Sequence, residues 1–342
     1  MNPILGILLI AIGSICASSF YVPIKKIKDW SWESYWIVQG IFSWIVIPWV
    51  FAYFTVPDLM KIIGESPASA KLWAIFFGVL WGVGGLTFGL GMRYLGVALG
   101  QSIALGFCAA FGTLIPPIVA GNNLFATTGG VLMVMGVSVC VAGIAIIGYA
   151  GSLKSKDMTE EEKKAAVKEF ALKKGLIIAV LAGIMSACFN YGLEAGKPME
   201  AVALKFNTNP LFTLNPILIF VTLGGFITNF SYCFFLNIKN GTGKDYFSVP
   251  GNVLFNNILF SALGGTLWYL QFFFMGMGKS MLPPSMLAFS WCILMALNIA
   301  CSNVWGIILN EWKGVSKKTI FVLVVGIVVL ILSTFIVNLG QV

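Results

Sequence analysis

KSKDMTEEEKKAAVKEFALKK, residues 154–174, is the longest charged stretch in this chain of 342 residues, and its position decides how the rest is read. On its N-terminal side, residues 94–153 hold no Asp, Glu, Lys or Arg; on its C-terminal side, residues 175–193 hold none either. Moving outward, 1–24, 34–57, 72–92, 206–238, 246–278, 280–310 and 319–342 are also free of formal charge. Each run reaches the roughly 18 residues that a membrane-crossing helix requires. The run 94–153 has to fold back once, and Pro116-Pro117 followed by Gly121-Asn122-Asn123 supplies the turn. The pattern predicts an all-α polytopic membrane protein with ten transmembrane helices, at 4–25, 34–54, 73–93, 97–118, 130–149, 175–195, 211–236, 253–276, 284–309 and 319–338. The first of these is read as a retained helix rather than a signal peptide, because Lys25, Lys26 and Lys28 follow it instead of preceding it.

Composition agrees with lipid as the solvent. Charged residues make up 10% of the chain and apolar ones 58%, with a mean hydropathy of +0.93, where a soluble domain carries roughly 25% charge. All seven cysteines lie inside apolar runs without CxxC spacing, which reads as packing rather than as a metal site or a disulfide framework. The net charge of +8 belongs to short loops, so no basic face for nucleic acid is expected. With no His there is no imidazole relay, His-based metal site or Ser–His pair. No carboxylate falls in the middle of an apolar run, so the clustered acids of an intramembrane enzyme are missing too. Neither enzyme activity nor a cofactor is expected.

The loops alternate in charge. Sixteen lysines and arginines fall in the connections after odd-numbered helices and five in those after even-numbered ones, which places both termini outside the cytoplasm. The loop 151–174 then separates a first half, 1–150, from a second, 175–342. Five helices in each half make the halves two inverted repeats, a transporter architecture with its substrate site between them. Thr159 followed by Glu160, Glu161 and Glu162 reads as a capped, solvated turn of helix inside the loop. Traces of duplication survive: Ser14, Ser18, Tyr21 and Lys25 are matched by Ser186, Asn190, Glu194 and Lys197 at similar helical spacing.

Lys25, Arg93, Lys197 and Lys279 lie near helix ends, where they can snorkel to water. What remains inside is uncharged: Tyr21, Gln39, Trp81, Gln101, Asn190, Trp268, Gln271 and Asn298. Amides donate and accept, matching sugar hydroxyls, and an indole face covers the C–H face of a sugar. These eight are the candidate substrate-binding residues; the competing reading is interhelical packing. Trp30, Trp32, Trp36, Trp49 and Trp312 read as belt residues at the lipid–water boundary. Gly78/Gly82 and Gly85/Gly89 are small-xxx-small pairs that admit a close neighbour, for sliding or for static packing.

FYVPIKKIKDWSWE (20–33), MRYLG (92–96), KKGLIIAVLAGIMSA (173–187) with KPM (197–199), and WYLQFFF (268–274) resemble the bacterial L-rhamnose–proton symporter family of the drug/metabolite transporter superfamily. That resemblance spans essentially the whole chain. It implies two inverted five-helix halves, residence in the bacterial inner membrane, and proton-driven uptake of a small neutral deoxyhexose. In the same class stands a sodium-coupled or facilitated carrier of another small sugar or metabolite; a receptor would need a larger soluble segment. The expected partners are the sugar, a proton and the bilayer, with homodimerisation open. For proton coupling without His, the candidates are Glu33, in the WSWE motif, and Glu194, on the polar face of the sixth helix.

The charge asymmetry makes a direct prediction. In a background lacking native cysteines, cysteines placed at Asn2 and Gln341 should react with an impermeant thiol reagent in intact cells. One at Lys163 should react only after the membrane is opened; its labelling in intact cells would overturn the inverted assignment.

Overall fold

The computed structural model describes residues 2–119, 123–162, 167, 169–282 and 289–339. These form ten principal helices and no strand: α1 Pro3–Ser19, α2 Trp32–Thr55, α3 Ala68–Leu95, α4 Val97–Val119, α5 Thr128–Asp157, α6 Leu172–Lys205, α7 Asn215–Asn240, α8 Gly251–Met281, α9 Phe289–Ile308 and α10 Lys317–Leu339. Among the described residues, seven helices are long and apolar enough to cross a membrane: α1 with the turn after it, α2, α3, α5, α6, α7 and α8. α4 and α9 contribute the shorter apolar segments Val97–Gly112 and Ile293–Ile308. Large apolar side chains such as Ile4, Phe54, Ile177, Phe255 and Phe321 stand on the outer surface, as they do in a protein solvated by lipid.

Local chemistry sets the helix ends. Asn2 accepts from the Leu5 amide at 3.2 Å with Pro3 in the first turn, and Thr127 accepts from the Gly130 amide at 3.0 Å. Gly96, at φ +86°, lets the chain reverse between α3 and α4 within one residue. Several ends depart from expectation. α1 stops at Ser19, and a 3₁₀ turn, Val22–Lys26, continues from it. α2 widens at Phe42–Val46, where the Ile47 amide reaches five residues back to the Phe42 carbonyl; Pro48, without an N–H, follows. α6 is interrupted at Ala187, so that Ser186 and Phe189 sit on either side of the interruption. α5 runs on to Asp157, which takes Lys154 out of the loop and into the protein. The capped turn expected after Thr159 is present: the Glu162 amide donates to Thr159 Oγ at 3.2 Å, and the Thr159 amide to Glu162 Oε2 at 2.8 Å. Gly121 and Asn122 of the expected turn, Lys163 and Gln341 lie outside the described residues.

Helices pack in matching pairs. α1 lies on α8 and α9, while α6 lies on α3 and α4; α5 lies along α10, and α4 meets α9. Glycine permits the closest approaches. A Cβ on Gly78 would stand 2.2 Å from the Val221 carbonyl oxygen, and one on Gly224 would stand 2.1 Å from that of Ile75, so α3 and α7 touch backbone to backbone. The contact at Gly78 leaves no room for a side chain. Gly78→Ala should therefore cost about 1–3 kcal/mol of stability by overpacking, read as a lower melting temperature in detergent. Gly148→Ala, with nothing within 4 Å of the added carbon, should hold or raise it. Equal losses in the two variants would contradict this packing.

Candidate functional site

Seven helices converge on a small cavity of about 60 Å³. α1 with the residue after it supplies Ala17 and Phe20; α2 supplies Trp36 and Trp44, and α3 supplies Trp81, Gly85 and Phe88. α4, α6, α8 and α9 complete the wall with Leu105, Cys108, Ser186, Phe189, Trp268, Gln271, Phe272, Trp291, Met295 and Asn298. No lining residue carries a formal charge, and α5 and α10 supply none of them.

Three indoles frame the space. Trp81 and Trp268 stand 5.2 Å apart, and Trp44 meets them edge-on at 5.8 and 5.9 Å. Phe189 and Phe272 stack at 4.1 Å behind them. Glycines give the rings room: a Cβ on Gly225 would stand 1.9 Å from the Trp81 ring, and one on Gly40 would stand 2.5 Å from that of Trp44. The widened turn of α2 carries Trp44 itself. Three lining residues hold buried polar atoms with no hydrogen-bond partner among the described residues: Trp44 Nε1, Trp291 Nε1 and Asn298 Oδ1. A buried polar atom left so costs about 1–3 kcal/mol, and donors and an acceptor together are what hydroxyl groups can pair with.

Of the eight residues singled out from sequence, the cavity gathers Trp81, Trp268, Gln271 and Asn298. Gln271 Nε2 donates to the Trp268 carbonyl at 2.8 Å. Gln39 lies outside the cavity, buried between α2 and α8, and donates to Ser43 Oγ at 2.9 Å. Gln101 is buried beside Met92, whose sulfur accepts from its amide at 3.5 Å. Asn190 is half-buried and does not line the cavity; its neighbours on α6, Ser186 and Phe189, do. Trp36 and Trp312 are buried and only Trp49 of the five expected belt tryptophans is exposed, because the others face polar or aromatic partners within the bundle. Trp36 donates to Asn229 Oδ1 at 2.8 Å, and Trp30 to the Asp245 carbonyl at 2.8 Å.

A second, wider cavity of about 760 Å³ lies beyond Tyr21, Trp32 and Tyr35. Trp32 Nε1 donates to Tyr21 Oη at 3.0 Å and stacks on Trp36 at 5.1 Å, forming an aromatic layer between the two spaces. All five connections that follow odd-numbered helices border this vestibule, through Lys25, Gly96, Val167 with Glu169, Thr242 and Glu311. Glu33 is buried there and accepts from Asn240 Nδ2 at 2.9 Å and Thr242 Oγ1 at 3.0 Å, tying α2 to the turn after α7. Glu194 is 47% exposed and pairs with Lys197, away from both cavities.

Sequence reasoning missed two buried carboxylates: Asp245, which accepts from the Ser31 amide and the Ser34 hydroxyl at 2.8 Å each, and Glu311. Glu311 is only 2% exposed. It accepts from the Val97 and Ala98 amides at 3.0 and 3.2 Å, at the start of α4. Gly96 makes this contact feasible, since a Cβ there would stand 2.6 Å from Glu311 Oε2. The buried Lys154 ammonium lies 4.7 Å from the Trp312 ring and makes no hydrogen bond among the described residues. The available signal was its place as the first charge after the run 280–310.

Comparison with known proteins bears on this arrangement. The family model described as L-rhamnose-proton symport protein matches residues 1–342. The L-rhamnose-proton symporters of Yersinia pestis (strain Pestoides F) and Yersinia pseudotuberculosis serotype O:1b (strain IP 31758) are each 41% identical to this chain, over 99% of its length and 98% of theirs. That of Yersinia pestis bv. Antiqua (strain Antiqua) is 40% identical over the same shares. A match of this extent, over the whole chain and the residues that line both cavities, makes the chain a member of the L-rhamnose-proton symporter family, a family of transporters rather than enzymes.

Proposed function

We propose that this protein carries L-rhamnose inward together with a proton across the bacterial inner membrane, with the central cavity as the sugar site. The observation that carries this reading is the trio of unpartnered polar atoms at Trp44, Trp291 and Asn298, within an uncharged wall of indole and phenyl rings. A neutral deoxyhexose offers what such a wall lacks. Its hydroxyls meet the indole N–H groups and the Asn298 carbonyl, and its C–H face and methyl group lie against Trp81 and Trp268. An anionic or cationic ligand would be desolvated there without a partner charge.

The ten helices are read as ten crossings in two inverted halves, 1–150 and 175–342, joined by 151–174. The matched pairing of α1 with α8 and α9, and of α6 with α3 and α4, supports an exchange of roles between halves. The gathering of five alternate, Lys-rich connections around one vestibule supports their lying on one side, the cytoplasm, with both termini on the other. On this reading the vestibule is the inward exit, the aromatic layer of Tyr21, Trp32 and Trp36 is the inner gate, and the cavity is a contracted sugar site. Tyr21 thus acts at the gate, and Gln39, Gln101 and Asn190 act through packing around the site rather than by lining it.

Exchange of labelled L-rhamnose by the purified protein in liposomes tests the substrate, with other hexoses as competitors. L-rhamnose should compete best; indifference to it alongside uptake of a different sugar would reject the assignment. Among variants, Asn298→Ala and Gln271→Ala should each weaken sugar binding by about ten- to a hundredfold, from roughly 1–3 kcal/mol per lost partner. Trp268→Phe should be milder than Trp268→Ala, since part of the stacking surface remains. Trp44→Phe separates ligand binding from packing. It removes the free N–H, so sugar binding should weaken while the melting temperature of the sugar-free protein holds or rises. Normal binding with a lower melting temperature would mark Trp44 as structural.

A further inference from the structure

We propose that Arg93 and Glu169 are positioning residues for sugar release: together they hold Trp32 in the aromatic layer, and parting them opens the way from the cavity to the vestibule. This rests on the transport reading above and names what fastens its inner gate.

Trp32 is the ring on which the layer closes. Its Nε1 donates to Tyr21 Oη at 3.0 Å and its face stacks on Trp36 at 5.1 Å. Its edge sits against α3 at Gly89, where an added Cβ would stand 3.1 Å from the ring. Arg93 follows Gly89 by four residues, so the two share one face of α3. The Arg93 guanidinium stands 6.0 Å from the centre of the Trp32 ring, the outer limit at which a cation is drawn to an aromatic face. A long side chain keeps such a contact if something else fixes its head, and Glu169 does so. Arg93 Nε donates to Glu169 Oε2 at 2.8 Å and Nη2 to Oε1 at 2.7 Å, a two-point bond that sets orientation as well as distance.

Glu169 is itself anchored. It belongs to the connection between the halves, and the residues after it are tied to the end of α3 twice more. The Ala171 amide donates to the Tyr94 carbonyl at 3.0 Å, and Lys174 Nζ to Tyr94 Oη at 2.8 Å. Tyr94 is not among the residues that line the vestibule; Arg93, Trp32 and Glu169 are. The two ties on Tyr94 therefore dock the segment on α3, and the ion pair extends that hold to the gate. Glu33, which also borders the vestibule, is held by Asn240 and Thr242 and does not compete for Arg93. The Arg93 and Glu169 side chains are 32% and 47% exposed, so dissolved salt reaches the pair and weakens it. A sugar leaving the cavity has to displace Trp32, and the ion pair adds to the cost of that displacement.

The test reads how fast Cys108, on the cavity wall, reacts with a small impermeant thiol reagent in the full chain lacking the other cysteines. Inside-out vesicles present the vestibule to the reagent, which passes Trp32 to reach Cys108; intact cells present the opposite side. Glu169→Gln should speed labelling in inside-out vesicles about two- to fivefold, the range for a partly exposed ion pair. Added salt should speed labelling where Glu169 is present and change it little in Glu169→Gln; the first half of that comparison needs no substitution in the pair. Lys174→Met cuts another tie of the same segment and should label at the parent rate. Equal rates in the parent and Glu169→Gln with no response to salt, or equal acceleration by Lys174→Met, overturn the inference. Acceleration in intact cells instead upholds the hold on Trp32 and overturns the sidedness of the transport reading. L-rhamnose that gives Cys108 no protection overturns the sugar site and leaves the role of the pair standing.

Discussion

Hydrocarbon offers no hydrogen-bond partner, so every polar group in this chain must find one inside the protein or do without. That constraint orders the structure from the outside inward. Backbone groups are satisfied within helices, and long apolar side chains take the surface. Polar side chains turn toward the bundle, where most find neighbours: Trp36 with Asn229, Asn303 with Ser102, Asn237 with Ser34. Of the buried side-chain atoms left without a partner among the described residues, three, on Trp44, Trp291 and Asn298, belong to residues that line this one cavity, and the others are spread through the bundle. Desolvation of those three is a standing cost, and on the proposed reading a ligand rich in hydroxyls would offset it.

Small residues make the arrangement geometrically feasible. A bundle that holds four indoles near its centre needs matching hollows, and Gly40, Gly89 and Gly225 provide them for Trp44, Trp36 and Trp81. Where two glycines face across helices, as Gly78 and Gly224 do, α3 and α7 lock backbone to backbone. The same side chains thus pack against neighbouring helices and line the cavity. A ring seated against a glycine hollow on one side presents its other surface to the cavity, and its position follows the helix that carries the glycine.

Much of the fold was legible in the sequence because charge is so scarce. The gaps between Lys, Arg, Asp and Glu mark out ten helices, and the alternating lysine count singles out the five connections that border the vestibule. Trp81, Trp268, Gln271 and Asn298 were legible as interior polar or aromatic residues on helices expected to meet. What escaped were features that depend on which way a helix faces. Trp36 and Trp312 look like boundary residues from their distance to a helix end, yet both point inward. Lys154 counts as a loop lysine until α5 proves to extend past it. Glu311 lies just beyond an apolar run, and only the fold of the α9–α10 turn back onto α4 buries it. Spacing along a chain reports depth; it does not report direction at the ends of helices.

The central claim is that the sugar occupies the cavity framed by Trp44, Trp81 and Trp268, between the two halves. A structure determined with L-rhamnose bound tests it most directly. The account predicts density against the faces of Trp81 and Trp268, within hydrogen-bonding reach of Asn298 Oδ1 and the Trp291 and Trp44 N–H groups, with the cavity enlarged around it. Density confined to the vestibule beside Glu33 and Arg93, with the tryptophan cavity unchanged, would contradict it.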